Sequence, residues 1–224
     1  MSLILLSAIF ALPSLLAGHG GVWNYSIAQG IGVLGIVPPH LIHTGNGYPG
    51  FSSIQRHWVD FRPIVDVELP TLVCNEPGSP AEESTTVATG AEIEAYYKGW
   101  PHDIGPIIVW MAYCGPDPAS CSSFDGTGRS CVTIPERLKG GAYLMRHELI
   151  ALHVPFTPEF YPECAHLYVL SSGDETPGEE YLASIPGVWE KDEPELHLSI
   201  YEEPTSSRTE WLIPGPAVWR GSGQ

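Results

Sequence analysis

Between residues 91 and 98 the chain alternates strictly, with Ala91, Ile93, Ala95 and Tyr97 set against Glu92, Glu94, Tyr96 and Lys98. A two-residue period of this kind predicts a strand with one buried face. The stretches "PIIVWMAYC" (106–114) and "AHLYVLSS" (165–172) are rich in β-branched and aromatic residues and end in turn formers, so they also read as strands. "AYLMRHELIALHV" (142–154) is ambiguous by pattern, and its residue propensities permit a helix. Between these lie the polar segments "NEPGSPAEES", "GPDPASCSSFDGTGRS" and "SGDETPGEE", which read as turns and loops. No repeat and no long linker divides the chain. The pattern predicts one all-β sandwich with long loops.

One apolar stretch stands apart. Residues 3–17, "LILLSAIFALPSLLA", carry no charge and lead directly into "GHGGVW". The run is shorter than the roughly 20 residues that span a bilayer, so it reads as a secretory signal peptide and not as a membrane anchor. Residues 1–18 are expected to be removed, leaving residues 19–224 as a single domain that begins with His19. A net charge of −16 argues against nucleic acid or an anionic membrane as partner, since both need clustered Lys and Arg. The 22 prolines and 24 glycines suit many short strands joined by turns. Five cysteines in a secreted chain suggest two disulfides and one leftover thiol. Asn24 opens a glycosylation sequon, "NYS".

Most of the nine histidines are expected to be ordinary. "HELIALH" (147–153) suggests a zinc peptidase helix, but the spacing defeats it. Six residues apart on a helix, His147 and His153 point roughly 120° away from each other. On a strand they share a face but lie about 20 Å apart. Neither geometry lets both hold one metal. His40, His43, His57, His166 and His197 read as surface or satisfied structural residues. No G-x-S-x-G elbow and no phosphate-cradling glycine loop occurs. Twenty-six acidic residues offer many carboxylate pairs for glycoside hydrolysis, and nothing selects one.

Several stretches together resemble the fungal lytic polysaccharide monooxygenases of auxiliary-activity family nine. They are "SIQRHW" (53–58), "CNEPG" (74–78), "WPHDIGPIIVWMAYC" (100–114), "VTIPERLKGGAYLMRHELIALH" (132–153), "EFYPECAHLYVLSSG" (159–173), "PGVWEKDEPELHLSIY" (186–201) and "WLIPGP" (211–216). They occur in the family's order and cover most of the chain from Ser53 onward. The resemblance implies an immunoglobulin-like antiparallel β-sandwich, in which 142–154 is a strand. It implies one copper ion held by the amino group and ring of His19 and by His102, with Tyr161 near the axial position. Imidazole and amine nitrogens suit copper, and three of them leave positions open for oxygen species.

By the same resemblance His153 and Glu159 flank the copper, and Arg146 supports that surrounding. Trp211 stands where an aromatic commonly lies on the substrate face. Cys74 and Cys164 match the family's disulfide. Cys114 pairs with Cys121, or Cys121 with Cys131. Two departures matter. The His102 motif reads "HDIGP", with one more residue before "GP" than the family usually has, and Glu159 stands where the family has glutamine. A glutamine donates a hydrogen bond, whereas an ionised glutamate only accepts.

The resemblance implies a secreted, monomeric copper monooxygenase that cleaves cellulose or a related β-1,4-glucan. It would use O2 or H2O2 and an external electron donor, either a small reductant or cellobiose dehydrogenase. The alternative is a relative that binds copper or glucan without turnover; an ordinary glycoside hydrolase has little behind it.

Overall fold

The computed structural model describes residues 21–29, 33–36, 54–58, 62–98, 105–117, 127–130, 133–203, 205–208 and 212–221. Nine strands occupy Gly21–Gln29 (β1), Val33–Ile36 (β2), Thr85–Ala88 (β3), Glu92–Lys98 (β4), Ile107–Gly115 (β5), Thr127–Ser130 (β6), Gly141–Ala151 (β7), Glu159–Leu170 (β8) and Ala183–Ser184 (β9). A three-stranded sheet runs β2-β1-β4, and a six-stranded sheet runs β3-β8-β7-β5-β6-β9. The pairings are antiparallel except that of β3 with β8, which is parallel.

The two sheets pack through Val22, Tyr25, Ile27, Ile93, Val109, Met111, Met145, Leu167 and Val169. Ala91 and Ile93 turn inward while Glu92 and Glu94 face solvent, as the alternation predicts. The outer face of the large sheet is also covered. Leu72, Trp110, Ile150, Phe160, Trp189 and Leu196 form a second apolar cluster there. This double cover explains the ambiguous stretch 142–154. Every residue of β7 is buried, so the strand reads as an unbroken run with no alternation, and no helix forms.

Two elements differ from the sequence expectation. β1 was hidden by a register shift between Val22 and Asn24, which moves the inward positions from even to odd numbers. β6 lies inside the segment expected to be loop, and it pairs with β5 through Trp110–Ser130 and Met111–Arg129.

Candidate functional site

The turn joining β7 to β8 brings three of the expected residues together. Alternation along β8 places Glu159, Tyr161 and Glu163 on one face, and Leu149 of β7 lies opposite Tyr161. The Tyr161 hydroxyl donates to Glu159 Oε2 at 2.7 Å. His153, just beyond β7, places Nδ1 3.7 Å from the same oxygen. Tyr161 is buried, packed with Leu149, Ala151 and Tyr97. Burial, followed by the bond to Glu159 and its charge, raises the phenol's pKa far above the usual tyrosine range. Tyr161 is therefore a neutral phenol with its proton held by Glu159. His153 is half-buried, and its main-chain oxygen accepts from the Tyr201 hydroxyl at 3.1 Å.

Arg146 does not join this group, which corrects the expectation. Residue 146 has the opposite parity on β7 to Leu149, so its side chain enters the outer face. There its guanidinium donates to the Leu72 and Val73 carbonyls, each at 2.7 Å, and pairs with buried Glu148 at 2.6 Å. Trp110 Nε1 donates to the other Glu148 oxygen. Arg146 thus ties the 70–75 segment to the sheet. Cys74 and Cys164 close a disulfide on the same face, with Cα atoms 5.3 Å apart. Cys114 is also disulfide-bonded, and Cys121 and Cys131 lie outside the described residues.

His19, His102 and Trp211 lie outside the described residues as well, as does the side chain of Asn24. The chain on either side of the first two histidines is informative. Gly21, two residues after His19, pairs with Lys98 at the end of β4. Val22 is gripped by buried side chains: its N–H donates to Glu163, and its carbonyl accepts from Gln55 Nε2 at 3.3 Å. A β-carbon on Gly21 would stand 2.0 Å from Glu163 Oε1, so any larger residue there would push that carboxyl aside. Burial raises the Glu163 pKa well above the carboxylate range, and the Val22 bond opposes this in part. The inward-facing hydroxyls of Tyr25 and Tyr97 lie near Glu163, and both phenols are raised, first by burial and then by the Glu163 charge. Three residues after His102, Gly105 lies so close to β7 that a β-carbon would stand 1.7 Å from the Ile150 carbonyl. Pro106 O accepts from Ile150 N at 3.0 Å.

Among the described residues no three His, Cys, Asp or Glu side chains gather around one point. The expected nitrogen ligands, His19 and His102, belong to the segments that lead into Gly21 and Gly105 and lie outside the described residues. The expected ligands would fit copper: imidazole and amine nitrogens suit it, and a neutral buried phenol is a weak oxygen donor.

The remaining described histidines are accounted for. His57 faces Glu82 at 2.9 Å. His166 accepts from Arg56 Nε at 3.2 Å, and burial, then the Arg56 charge, lowers its pKa to about 4. His147 packs on the Tyr25 ring at 5.3 Å, and burial lowers it to about 4. His197 stacks edge-on against Phe156. Glu163, Gln55 and Tyr201 were missed in the sequence. Glu163 sits two residues after Tyr161, the period of a strand face, and that spacing was the signal available.

The sequence profile of Auxiliary Activity family 9 (formerly GH61) matches residues 39–131 and 128–210. The chain is 37% identical over 248 residues to AA9 family lytic polysaccharide monooxygenase B of Heterobasidion irregulare, covering 97% of this chain and 98% of that protein. It is 33% identical over 260 residues to AA9 family lytic polysaccharide monooxygenase D of Thermothelomyces thermophilus, covering 97% and 94%. Among solved structures, it matches a cellulose-active polysaccharide monooxygenase from M. thermophila with a TM-score of 0.77 at 32% identity, over 91% of this chain and 100% of that one. The crystal structure of HiLPMO9B matches with a TM-score of 0.75 at 33% identity, with the same coverage.

Proposed function

Because this chain belongs to auxiliary activity family 9, we propose that it is a secreted, copper-dependent lytic polysaccharide monooxygenase acting on β-1,4-glucan. Cellulose is the proposed substrate, with oxidation at carbon 1, carbon 4 or both. The observation that carries this reading is the Tyr161–Glu159–His153 group at the β7–β8 turn. The chain flanking His19 and His102 is anchored beside it, at Val22 and Gly105.

His19, through its amino group and ring, and His102 would hold the copper, with Tyr161 as a weak third partner. Bound copper would supply one-electron chemistry toward O2 or H2O2, driven by a small reductant or cellobiose dehydrogenase. The protein's own residues do the rest. Glu159 keeps the Tyr161 proton in place, so the phenol stays neutral and does not compete as an anionic ligand. His153 presents its ring toward Glu159 and positions the oxygen co-substrate, while Tyr201 fixes its backbone. Trp211 offers a ring to the flat substrate.

The α-amine of His19 must be free. An amine has a reference pKa of about 7.7–8.0 and yields its proton to a metal at neutral pH far more readily than a peptide nitrogen inside the chain. This requires removal of residues 1–18. A copper titration tests it: the form beginning at His19 is expected to bind one equivalent tightly. A form that retains residues 1–18, and a His102→Ala variant, are expected to bind more weakly by at least roughly 10- to 100-fold. Equal binding by all three would refute the assignment.

Glu159 favours a second reading, a relative that binds copper and glucan with little turnover. A carboxylate beside the metal adds negative charge where a glutamine would donate a hydrogen bond. Tight copper binding without oxidised products would support it.

A further inference from the structure

The turn that follows His153 carries a feature that neither packing nor secondary structure requires. Phe156 is 52% exposed, yet its φ is +58°, a left-handed conformation that a bulky side chain adopts only at a cost. Strained backbone persists where its surroundings hold it. Here the Phe156 N–H donates to the Leu198 carbonyl at 2.9 Å, and Thr157 N bonds back to Val154 O at 3.1 Å. His197 meets the Phe156 ring edge-on, with centroids 5.6 Å apart. Tyr201, 64% exposed, reaches from the same 197–201 segment to the His153 carbonyl. Two aromatic side chains are therefore held in solvent beside His153, from two segments clasped to each other.

A fold gains little from this. At 52% exposure the phenylalanine forfeits about half of its burial energy, and an Asn or Gly at 156 would relieve the backbone. We propose that Phe156 and Tyr201 form an aromatic platform that extends the glucan-contacting face past His153 and receives pyranose rings of a cellulose surface. The inference rests on the proposed glucan activity. A neutral, flat ligand suits it: an aromatic face offers apolar contact, and the phenol offers one polar edge. The chain's net charge of −16 disfavours an acidic partner at the same place.

The test uses copper-loaded protein on microcrystalline cellulose with no reductant present, so that binding is read without turnover. Wild type, Phe156→Asn, Phe156→Gly and Phe156→Tyr are compared by adsorption isotherm and by thermal melting. Asn and Gly are expected to weaken adsorption by roughly 3- to 10-fold while Tm holds or rises, because both residues accept φ > 0. Tyr is expected to bind like wild type. If Asn and Gly adsorb like wild type, the platform is refuted. Loss of Tm by more than about 3 °C in both would show that the ring serves the fold, and would also overturn it. Wild type that fails to adsorb to cellulose sinks the substrate reading itself, which separates that failure from failure of the platform.

Discussion

Glu163 holds the beginning of β1, and replacing it tests how the amino-terminal segment is placed. Its side chain is buried, it accepts the Val22 N–H, and it fills the space above Gly21. Glu163→Leu removes the acceptor and leaves the buried Val22 N–H without a partner, a loss of about 1–3 kcal/mol. For a domain of this size each kcal/mol lowers Tm by roughly 2–4 °C, so a fall of about 2–12 °C is expected. Glu163→Gln keeps an oxygen of the same reach and removes a group whose charged form burial disfavours. Its Tm is expected to stay within about 2 °C of wild type or to rise. Thermal melting followed by circular dichroism reads the stability, and amide hydrogen exchange at Val22 reads the contact. The Leu variant should lose protection there and the Gln variant should keep it. The reasoning is refuted if Leu melts with wild type, or if Gln falls as far as Leu.

Further outcomes follow from other contacts. Glu159→Gln restores a donor beside Tyr161 and His153, and is expected to raise the yield of oxidised products and alter its pH profile; an unchanged profile would remove Glu159 from the site's chemistry. His166 sits near pKa 4 when folded, against 6.5 when exposed, so the folded state resists its protonation. That contribution is present above pH 6.5 and lost as pH falls toward 4, amounting to about 3 kcal/mol. In urea unfolding, wild type is therefore expected to lose stability relative to His166→Asn between pH 6.5 and 4; parallel curves would contradict the assignment. The Cys74–Cys164 bond spans a sequence separation of 90. Replacing both cysteines by Ala is expected to cost about 4–5 kcal/mol by loop entropy, read as a lower urea midpoint.

The strands with one exposed face were legible because alternation survives there, as at 91–98. β7 was not, because segments 64–73 and 185–200 cover its second face and erase the period. β1 was lost to the register shift after Val22, which breaks alternation within the strand. Tyr161, Glu159 and His153 came from the resemblance, and the strand period then accounts for their meeting. The same period excludes Arg146, whose parity sends it to the outer face; that separation was readable once β7 was known to be a strand. Phe156 left no signal in the sequence, since exposure and a positive φ in a turn follow no period.

The central claim is oxidative cleavage by a protein that begins at His19. The direct measurement is mass spectrometry of soluble products from cellulose treated with the His19-initiated, copper-loaded protein and a reductant. Aldonic acids, 4-ketoaldoses or both are predicted, and they should vanish when the copper is chelated. Plain cello-oligosaccharides formed without need of reductant, or no soluble product at all, would contradict it.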